Sequence, residues 1–241
     1  MKHLPNVTLV AVATTDVEAT CQALNYSVKS LKFGRVLLIS NYDPNPNSRT
    51  YEHIEIEPFE SVGEWGEFIV FDLYKYIDTD FIILIHADGF IVNPEKWDDD
   101  FLKYDYIGAP WPIPKDSHSF RDYYGNIIRQ GNSVSLRRFK ILEIPSKLKL
   151  KWEAKEGFFH EDGYLCVVKR HLLIGNGVEF APLDIACKFS HEIPIPELKG
   201  IRPFAFHKWK GENKMYPKFG RYNIGVIDKI IQRMVGLIWK K

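Results

Sequence analysis

The sequence has few cysteines, almost no net charge and no long hydrophobic run. Its three cysteines, Cys21, Cys166 and Cys187, lie far apart, which excludes a disulfide framework and the spacing of a zinc finger. They favour buried thiols in a reducing cytoplasm. The formal charge of +1 over 241 residues is not that of a dedicated nucleic-acid-binding protein, so no nucleic-acid partner is expected. No stretch approaches the roughly 18 apolar residues that a membrane span needs.

The small net charge hides a basic C-terminal part. From Ile201 onward, ten basic residues stand against two acidic ones, a charge of +8. Apolar residues at helical spacing over Val226–Trp239 predict an amphipathic helix. Two interpretations stay open, because this helix can dock on the domain or lie on an anionic membrane surface. We therefore expect one domain over 1–210 and a basic tail over 211–241, in a cytoplasmic protein that the second interpretation places at the inner face of the cell membrane.

Short apolar runs alternate with helical patterns in the first part of the chain. Leu9–Ala13, Arg35–Ser40 and Phe81–Ile85 predict strands, and 17–31 and 65–77 predict helices. Runs without polar alternation are typical of strands buried on both faces. The sequence therefore predicts an α/β fold, with a mainly parallel sheet flanked by helices and no linker that divides it.

The pattern is less regular after Gly89. It predicts a short helix over Trp97–Tyr104, a longer helix over Glu161–Leu173 and a strand at 178–181. The segment from Gly131 predicts a turn of small residues that lines the floor of a pocket and leads into a short strand over Val134–Leu136.

The first candidate site is the segment His86-Ala87-Asp88-Gly89, directly after the most apolar strand. Ligands of open parallel sheets bind beyond the carboxyl ends of the strands, where Asp88 could hold a metal-bound anion. Gly89 would let the backbone approach the ligand closely. The alternative is a turn that only ends the strand.

Two further segments carry groups suited to catalysis or metal binding. Glu161 and Asp162 open a predicted helix, where acids are favoured by the helix dipole, but a carboxylate fixed there can also act as a general base. His207 lies in an aromatic segment and is either a structural histidine or an imidazole ligand of a metal.

The order of these pieces resembles the GT-A glycosyltransferases, and most closely a bacterial family of polysaccharide gene clusters long catalogued as a domain of unknown function. The resemblance covers about 7–207. The segments that carry it are Thr79–Val92, Trp97, Tyr104–Trp111, Gly131–Arg137, Glu161–Gly163, Phe180–Pro182 with Ala186, Phe189, Ser190 and Glu192, and Phe206–His207. It implies a GT-A-like, Rossmann-like fold.

The resemblance also implies roles for individual residues. Asp88 matches the last acid of the metal-binding Asp-x-Asp motif, and His207 matches the histidine that completes the metal site. Asp162, with Glu161 beside it, matches the acidic pair that supplies the base of inverting enzymes. Thr14 and Thr15 match the donor-binding end of the first strand, next to Asp88 and Gly89.

Two features depart from the family pattern. His86 stands where the motif has its first acid, so it is a third candidate metal ligand and puts metal dependence in question. The turn after Gly131 lacks a second glycine, which alters the expected pocket floor. Among the aromatic residues, Trp111, Tyr123 and Tyr124 are candidates to stack on acceptor sugars, with packing as the alternative.

The implied activity is transfer of a sugar from a nucleotide-sugar donor, UDP-linked, to a hydroxyl of a glycan or lipid-linked glycan in cell-surface polysaccharide synthesis. The expected course is inverting, and the expected cofactor is Mn²⁺ or Mg²⁺. The alternatives are a retaining transferase of the same fold and a non-catalytic module that binds a nucleotide-sugar or a glycan. A structural membrane-surface adaptor built around the basic tail is a third class.

Overall fold

The computed structural model describes residues 1–153, 160–208 and 216–219, and the side chains of 132 and 133 are left out. Its strands are β1 (Lys2–Val12), β2 (Leu31–Ser40), β3 (Glu52–Glu55), β4 (Phe81–Ile85), β5 (Gly89–Ile91), β6 (Tyr106–Pro110), β7 (Gln130–Arg138), β8 (Ser190–His191) and β9 (Ala205–His207). Its α-helices are α1 (Val17–Ser27), α2 (Val62–Phe71), α3 (Phe139–Lys147), α4 (Glu161–Gly163), α5 (Arg170–Gly175) and α6 (Leu183–Phe189).

Six strands form the main sheet in the order β3-β2-β1-β4-β7-β6. The first four are mutually parallel, whereas β7 runs antiparallel to both β4 and β6. The order 3-2-1-4 is that of one half of a Rossmann sheet. The α/β, Rossmann-like class expected from the sequence is therefore confirmed.

The central strands are buried on both faces, which explains their continuous apolar runs. Leu9 and Ala11 of β1 lie in a cluster with α1, α6 and the small sheet. Val10 and Val12, which point the other way, lie in a second cluster with α2 and α3. Alternate side chains of β1 therefore point into two hydrophobic cores, one on each face of the sheet, and neither face is exposed to solvent.

A small second sheet was missed by the sequence patterns. It has the order β5-β9-β8, and β5 pairs with β9 so that Gly89 lies opposite His207. Each strand has only two or three residues, too few for a periodic signal. This sheet carries the late histidine to the end of β4.

Several local expectations were wrong. The turn expected from Gly131 is absent, because Gly131 already lies in strand β7, which also contains the strand expected over Val134–Leu136. The short helix expected over Trp97–Tyr104 is a 3₁₀ helix over Asp99–Lys103 rather than an α-helix. The helix expected from Glu161 is broken into α4, a π-helix over Tyr164–Val168 and α5.

The C-terminal amphipathic helix expected over 226–239 lies outside the described residues, so it stays a prediction, as does the division at 210. Of the tail, Tyr216 and Phe219 are described, and they pack against Phe206 and Phe90. In the described part of the chain, no helix is long and apolar enough to cross a membrane.

A glycine in β2 permits the irregular pairing of the first two strands. The β1–β2 register shifts between Leu4 and Thr8, where Pro5 interrupts the ladder. A Cβ on Gly34 would lie 2.0 Å from the carbonyl oxygen of Pro5. Because this neighbour is backbone, a side chain at position 34 can fit only if the strands move apart.

We expect Gly34→Ala to destabilise the protein by about 1–3 kcal/mol, the usual cost of overpacking. The matched control is Gly175→Ala at the exposed end of α5, where a Cβ would meet nothing within 4 Å. That control should be neutral or stabilising by up to about 1 kcal/mol. Urea unfolding measures both, and equal stability of the two variants would contradict the argument.

Candidate functional site

A cavity of about 660 Å³ opens at the carboxyl ends of β1 and β4. This is the edge of an α/β sheet at which ligands bind. Its walls come from segments far apart in the chain: 12–16 at the end of β1, 59–62 with Trp65 of α2, 86–88 after β4, 160–162 at α4, Glu192 after β8, and 207–208 at the end of β9.

Most of the residues singled out from the sequence line this one cavity. They are Thr14, Thr15, His86, Asp88, Glu161, Asp162 and His207. Gly89, Trp111 and Tyr124 do not line it. The parallel strands bring the first group together because their carboxyl ends share one edge of the sheet.

Gly89 makes room for a protein side chain rather than for a ligand. A Cβ at this position would lie 2.7 Å from both Cδ2 of His207 and Cγ2 of Val134. The missing side chain therefore lets His207 pack against the turn that carries Asp88. The space beside the backbone of Gly89, expected to admit a ligand, is filled by the side chains of His207 and Val134.

The two candidate acceptor residues lie elsewhere. Trp111 is 3% exposed, stacks on Phe120 and fits against Gly131, so it serves as a core residue. Tyr124 is 72% exposed and contacts Tyr123 and His171 outside the cavity wall. Neither position shows a link to the cavity.

Thr14 and Thr15 form the wall at the end of β1. The hydroxyl of Thr14 accepts a hydrogen bond of 3.1 Å from the backbone N–H of Phe59. It thereby ties the β1 end to the segment before α2. The indole N–H of Trp65 donates to the carbonyl of Val12 at 2.9 Å, which fixes the ring beside the same strand end.

His207 lies between two carboxylates. Its Nε2 is 3.4 Å from Oδ1 of Asp88, and its Nδ1 is 3.1 Å from Oε2 of Glu192. Burial opposes the charged imidazole, but these two acids outweigh burial and raise the pKa of His207 to about 9. Burial would raise the pKa of Asp88, yet His207 and then Lys208 hold it below its ordinary value.

His86 is a neutral neighbour of this pair. Its ring lies between those of Trp65 and His207, with centroids 5.6 and 5.2 Å away. Burial, and then the charge of His207, lower the pKa of His86 to about 3. Its Nε2 is buried and has no hydrogen-bond partner among the described residues.

A divalent metal would find two suitable donors here. Asp88 offers carboxylate oxygens, and His207 offers an imidazole nitrogen that must first lose its proton. Within the described residues, no three His, Cys, Asp or Glu side chains form a group that could hold a metal. His86 is therefore adjacent to the pair and not a third member of a preformed set, and the fit is that of two protein ligands.

Glu161 is occupied by a buried ion pair. Arg137 of β7 donates from Nη2 to Oε1 of Glu161 at 2.8 Å, and the two side chains are 0% and 1% exposed. Arg137 also donates from Nε to the hydroxyl of Ser135. Burial alone would raise the pKa of Glu161, but the charge of Arg137 outweighs burial and holds the pKa below its ordinary value.

Asp162 is the more accessible of the two acids, at 9% exposure. Its Oδ1 accepts a hydrogen bond from the backbone N–H of Gly163 at 2.6 Å. Burial, and then the negative charge of Glu161, raise the pKa of Asp162 to about 8. The pKa values of the two adjacent acids are thus shifted in opposite directions, so that near pH 7 Glu161 is ionised and Asp162 is neutral.

Four cavity or support residues were not assigned roles from the sequence. They are Trp65, Arg137, Glu192 and Lys208. The sequence pattern places Trp65 in a helix and Arg137 in the segment of small residues that begins at Gly131. Of these four, only Lys208 could have been identified from the sequence. It directly follows His207, and a cation next to a residue of a candidate phosphate site is itself a candidate to bind phosphate.

We expect Arg137→Leu to destabilise the protein by about 3–5 kcal/mol, because it leaves the charge of Glu161 buried without a partner. Arg137→Leu combined with Glu161→Gln should recover part of this loss. The control is Arg202→Leu, which breaks an exposed pair with Glu95 and should cost at most about 1 kcal/mol. Urea unfolding of the wild type, Arg137→Leu, Glu161→Gln and the double variant gives the coupling energy, and strictly additive losses would refute it.

Comparisons with known proteins place the chain as follows. Among solved structures, it resembles the apo form of the glycosyltransferase GlyE of Streptococcus pneumoniae TIGR4, with a TM-score of 0.46, 11% identity, and coverage of 95% of this chain and 59% of that one. It also resembles TarS 1-349 of S. aureus, with a TM-score of 0.40, 11% identity, and coverage of 68% and 57%. The chain thus spans less than two thirds of the length of either.

No curated protein matches the chain. Residues 50–207 match the family described as "Protein of unknown function (DUF5672)", and since this is more than half of the chain, the protein belongs to that family.

Proposed function

We propose that the protein is a glycosyltransferase that moves a sugar from a UDP-linked donor to a hydroxyl of a glycan, with inversion, in cell-surface polysaccharide synthesis. One observation carries the proposal. A single cavity at the carboxyl ends of the parallel strands holds Thr14 and Thr15, Asp88 with His207, and Asp162. These are the groups needed for a nucleotide, a diphosphate and a proton transfer.

The donor would lie across the strand ends. Its nucleoside part would lie against the threonines after β1 and the fixed ring of Trp65. Its diphosphate would lie toward Asp88, His207 and Lys208, which line the same cavity. The volume of about 660 Å³ is within the usual range for a small-molecule site.

In the proposed reaction, Asp162 accepts the proton of the acceptor hydroxyl. The hydroxyl oxygen forms a bond to the anomeric carbon as the bond from that carbon to the phosphate oxygen breaks. The electron pair leaves with the nucleoside diphosphate, and the anomeric configuration is inverted. A neutral, buried carboxyl with a pKa near the working pH is well suited to this task once it is ionised.

Glu161 has a different role in this proposal. Its carboxylate is held by Arg137, so taking up a proton would break a buried ion pair. It supplies a fixed negative charge that raises the basicity of Asp162. Asp162 is therefore the base, and Glu161 is a positioning residue.

The proposed cofactor is Mn²⁺ or Mg²⁺, with Asp88 and His207 as its protein ligands. A bound divalent cation would stabilise the charge that develops on the leaving diphosphate. Glu192 would hold the second nitrogen of His207 and so orient the ring.

We expect Asp162→Asn to lower kcat by about 10²–10⁴-fold while donor affinity stays nearly unchanged. The wild-type kcat/KM should rise about tenfold per pH unit up to about pH 8, because only ionised Asp162 is a base. UDP-release assays over pH, with NMR of the anomeric proton of the product, measure both. Wild-type kcat in the variant, or a retained configuration, would refute the assignment.

We expect EDTA to lower turnover at least about tenfold and Mn²⁺ to restore it. Asp88→Asn should show no such rescue, because it removes a charged ligand from the leaving-group side. Asp184→Asn, at the start of α6 and outside the cavity wall, serves as the control. Full turnover in EDTA, together with an active Asp88→Asn protein, would rule out the metal.

A non-catalytic nucleotide-sugar or glycan-binding module is the second candidate. It is favoured by His86, a neutral residue where the family motif has an acid. UDP binding by calorimetry without turnover of any donor sugar would select this candidate over the enzyme.

A further inference from the structure

Lys208 is the one lysine or arginine among the described residues that line the cavity. It follows His207 at the end of β9. Its side chain is 58% exposed, and its Nζ lies 3.7 Å from Oδ2 of Asp88. This distance is long for a charged hydrogen bond, so the ammonium is only loosely paired with Asp88.

The backbone holds Lys208 in place. Its φ of 47° lies in the left-handed region, which residues with a side chain seldom adopt. Its N–H donates to the carbonyl of Asp88 at 3.0 Å, so the residue is tied to the turn after β4. An uncommon conformation that is fixed in this way is typical of a functional position.

The charges around the cavity leave a diphosphate with few partners. The acidic side chains of the lining are Asp16, Glu60, Asp88, Glu161, Asp162 and Glu192. His207, the histidine that contacts Asp88, is shared between two carboxylates. A bound polyanion would meet repulsion from this lining unless a cation were aimed at it.

We propose that Lys208 binds the diphosphate of the donor as a fixed cation, so that the donor binds even when the metal ion needed for turnover is absent. This inference rests on the proposed function and extends it to the leaving group. The ammonium of Lys208 lies beside Asp88, at the end of the cavity where the diphosphate is proposed to bind. The ammonium therefore supplies part of the positive charge that a divalent cation would otherwise provide.

The test is direct binding by calorimetry in EDTA, with UDP, inorganic pyrophosphate and uridine as separate probes. The variants are Lys208→Met, which removes the charge, and Lys208→Arg, which keeps it. Lys199→Met is the control, because Lys199 is exposed and does not line the cavity.

We expect Lys208→Met to weaken UDP and pyrophosphate about ten- to hundredfold and to leave uridine unchanged. Lys208→Arg should retain most of the affinity, and Lys199→Met should bind like the wild type. Added Mn²⁺ should restore part of the loss in Lys208→Met.

Wild-type affinity of Lys208→Met for UDP and pyrophosphate in EDTA would overturn the inference, as would an equal loss of uridine binding. Turnover by the wild type together with such an unaffected variant would overturn the inference and leave the transferase standing. Pyrophosphate binding that depends on Lys208 without turnover of any donor sugar would instead support the inference and refute the transferase.

Discussion

The buried ion pair between Arg137 and Glu161 connects the central sheet to the acidic end of the cavity. Arg137 extends from the antiparallel strand β7, and Glu161 opens α4, so one contact fixes the start of that helix against the sheet. Removing two charges from water is costly unless their geometry is good. Here the guanidinium also bonds Ser135 and lies 5.2 Å from the ring centre of Tyr106. The position and the proton affinity of Asp162 both follow from this arrangement.

The small sheet fixes the position of Asp88 and His207 on the opposite wall of the cavity, as the Arg137–Glu161 ion pair fixes the two adjacent acids. Pairing of β5 with β9 sets Gly89 opposite His207, and the absence of a Cβ at Gly89 brings the imidazole against the turn of Asp88. The site therefore has two rigid sides, each fixed by a contact between distant parts of the sequence. Positioned groups of this kind are what electrostatic catalysis requires.

The sequence alone was sufficient for the parts of the fold in which one local pattern decides the structure. The apolar runs of β1, β2 and β4 predict buried parallel strands, and the rule for strand ends then places Thr14 and Asp88 on one edge. The sequence patterns gave wrong or no predictions where contacts between distant parts of the chain determine the local structure. Gly131 looks like a turn residue, but it lies in β7, where a Cβ would lie 2.4 Å from the ring of Trp111. The pairing of Glu161 with Arg137 has no signature in spacing, since it depends on how a helix meets a sheet.

The route of the chain through the site has a consequence for folding. The cavity wall begins at residue 12 and is completed only at 208, after β9 has paired with β5 and Asn93 has bonded the carbonyl of Pro203, 110 positions away. Contacts between residues so far apart in the chain form slowly, because the chain loses the entropy of the closed loop before the contact contributes any stabilisation. A ribosome must therefore release nearly the whole described domain before the ligand-binding geometry of the cavity is complete. Shorter nascent chains would have the parallel sheet but only one wall of the site.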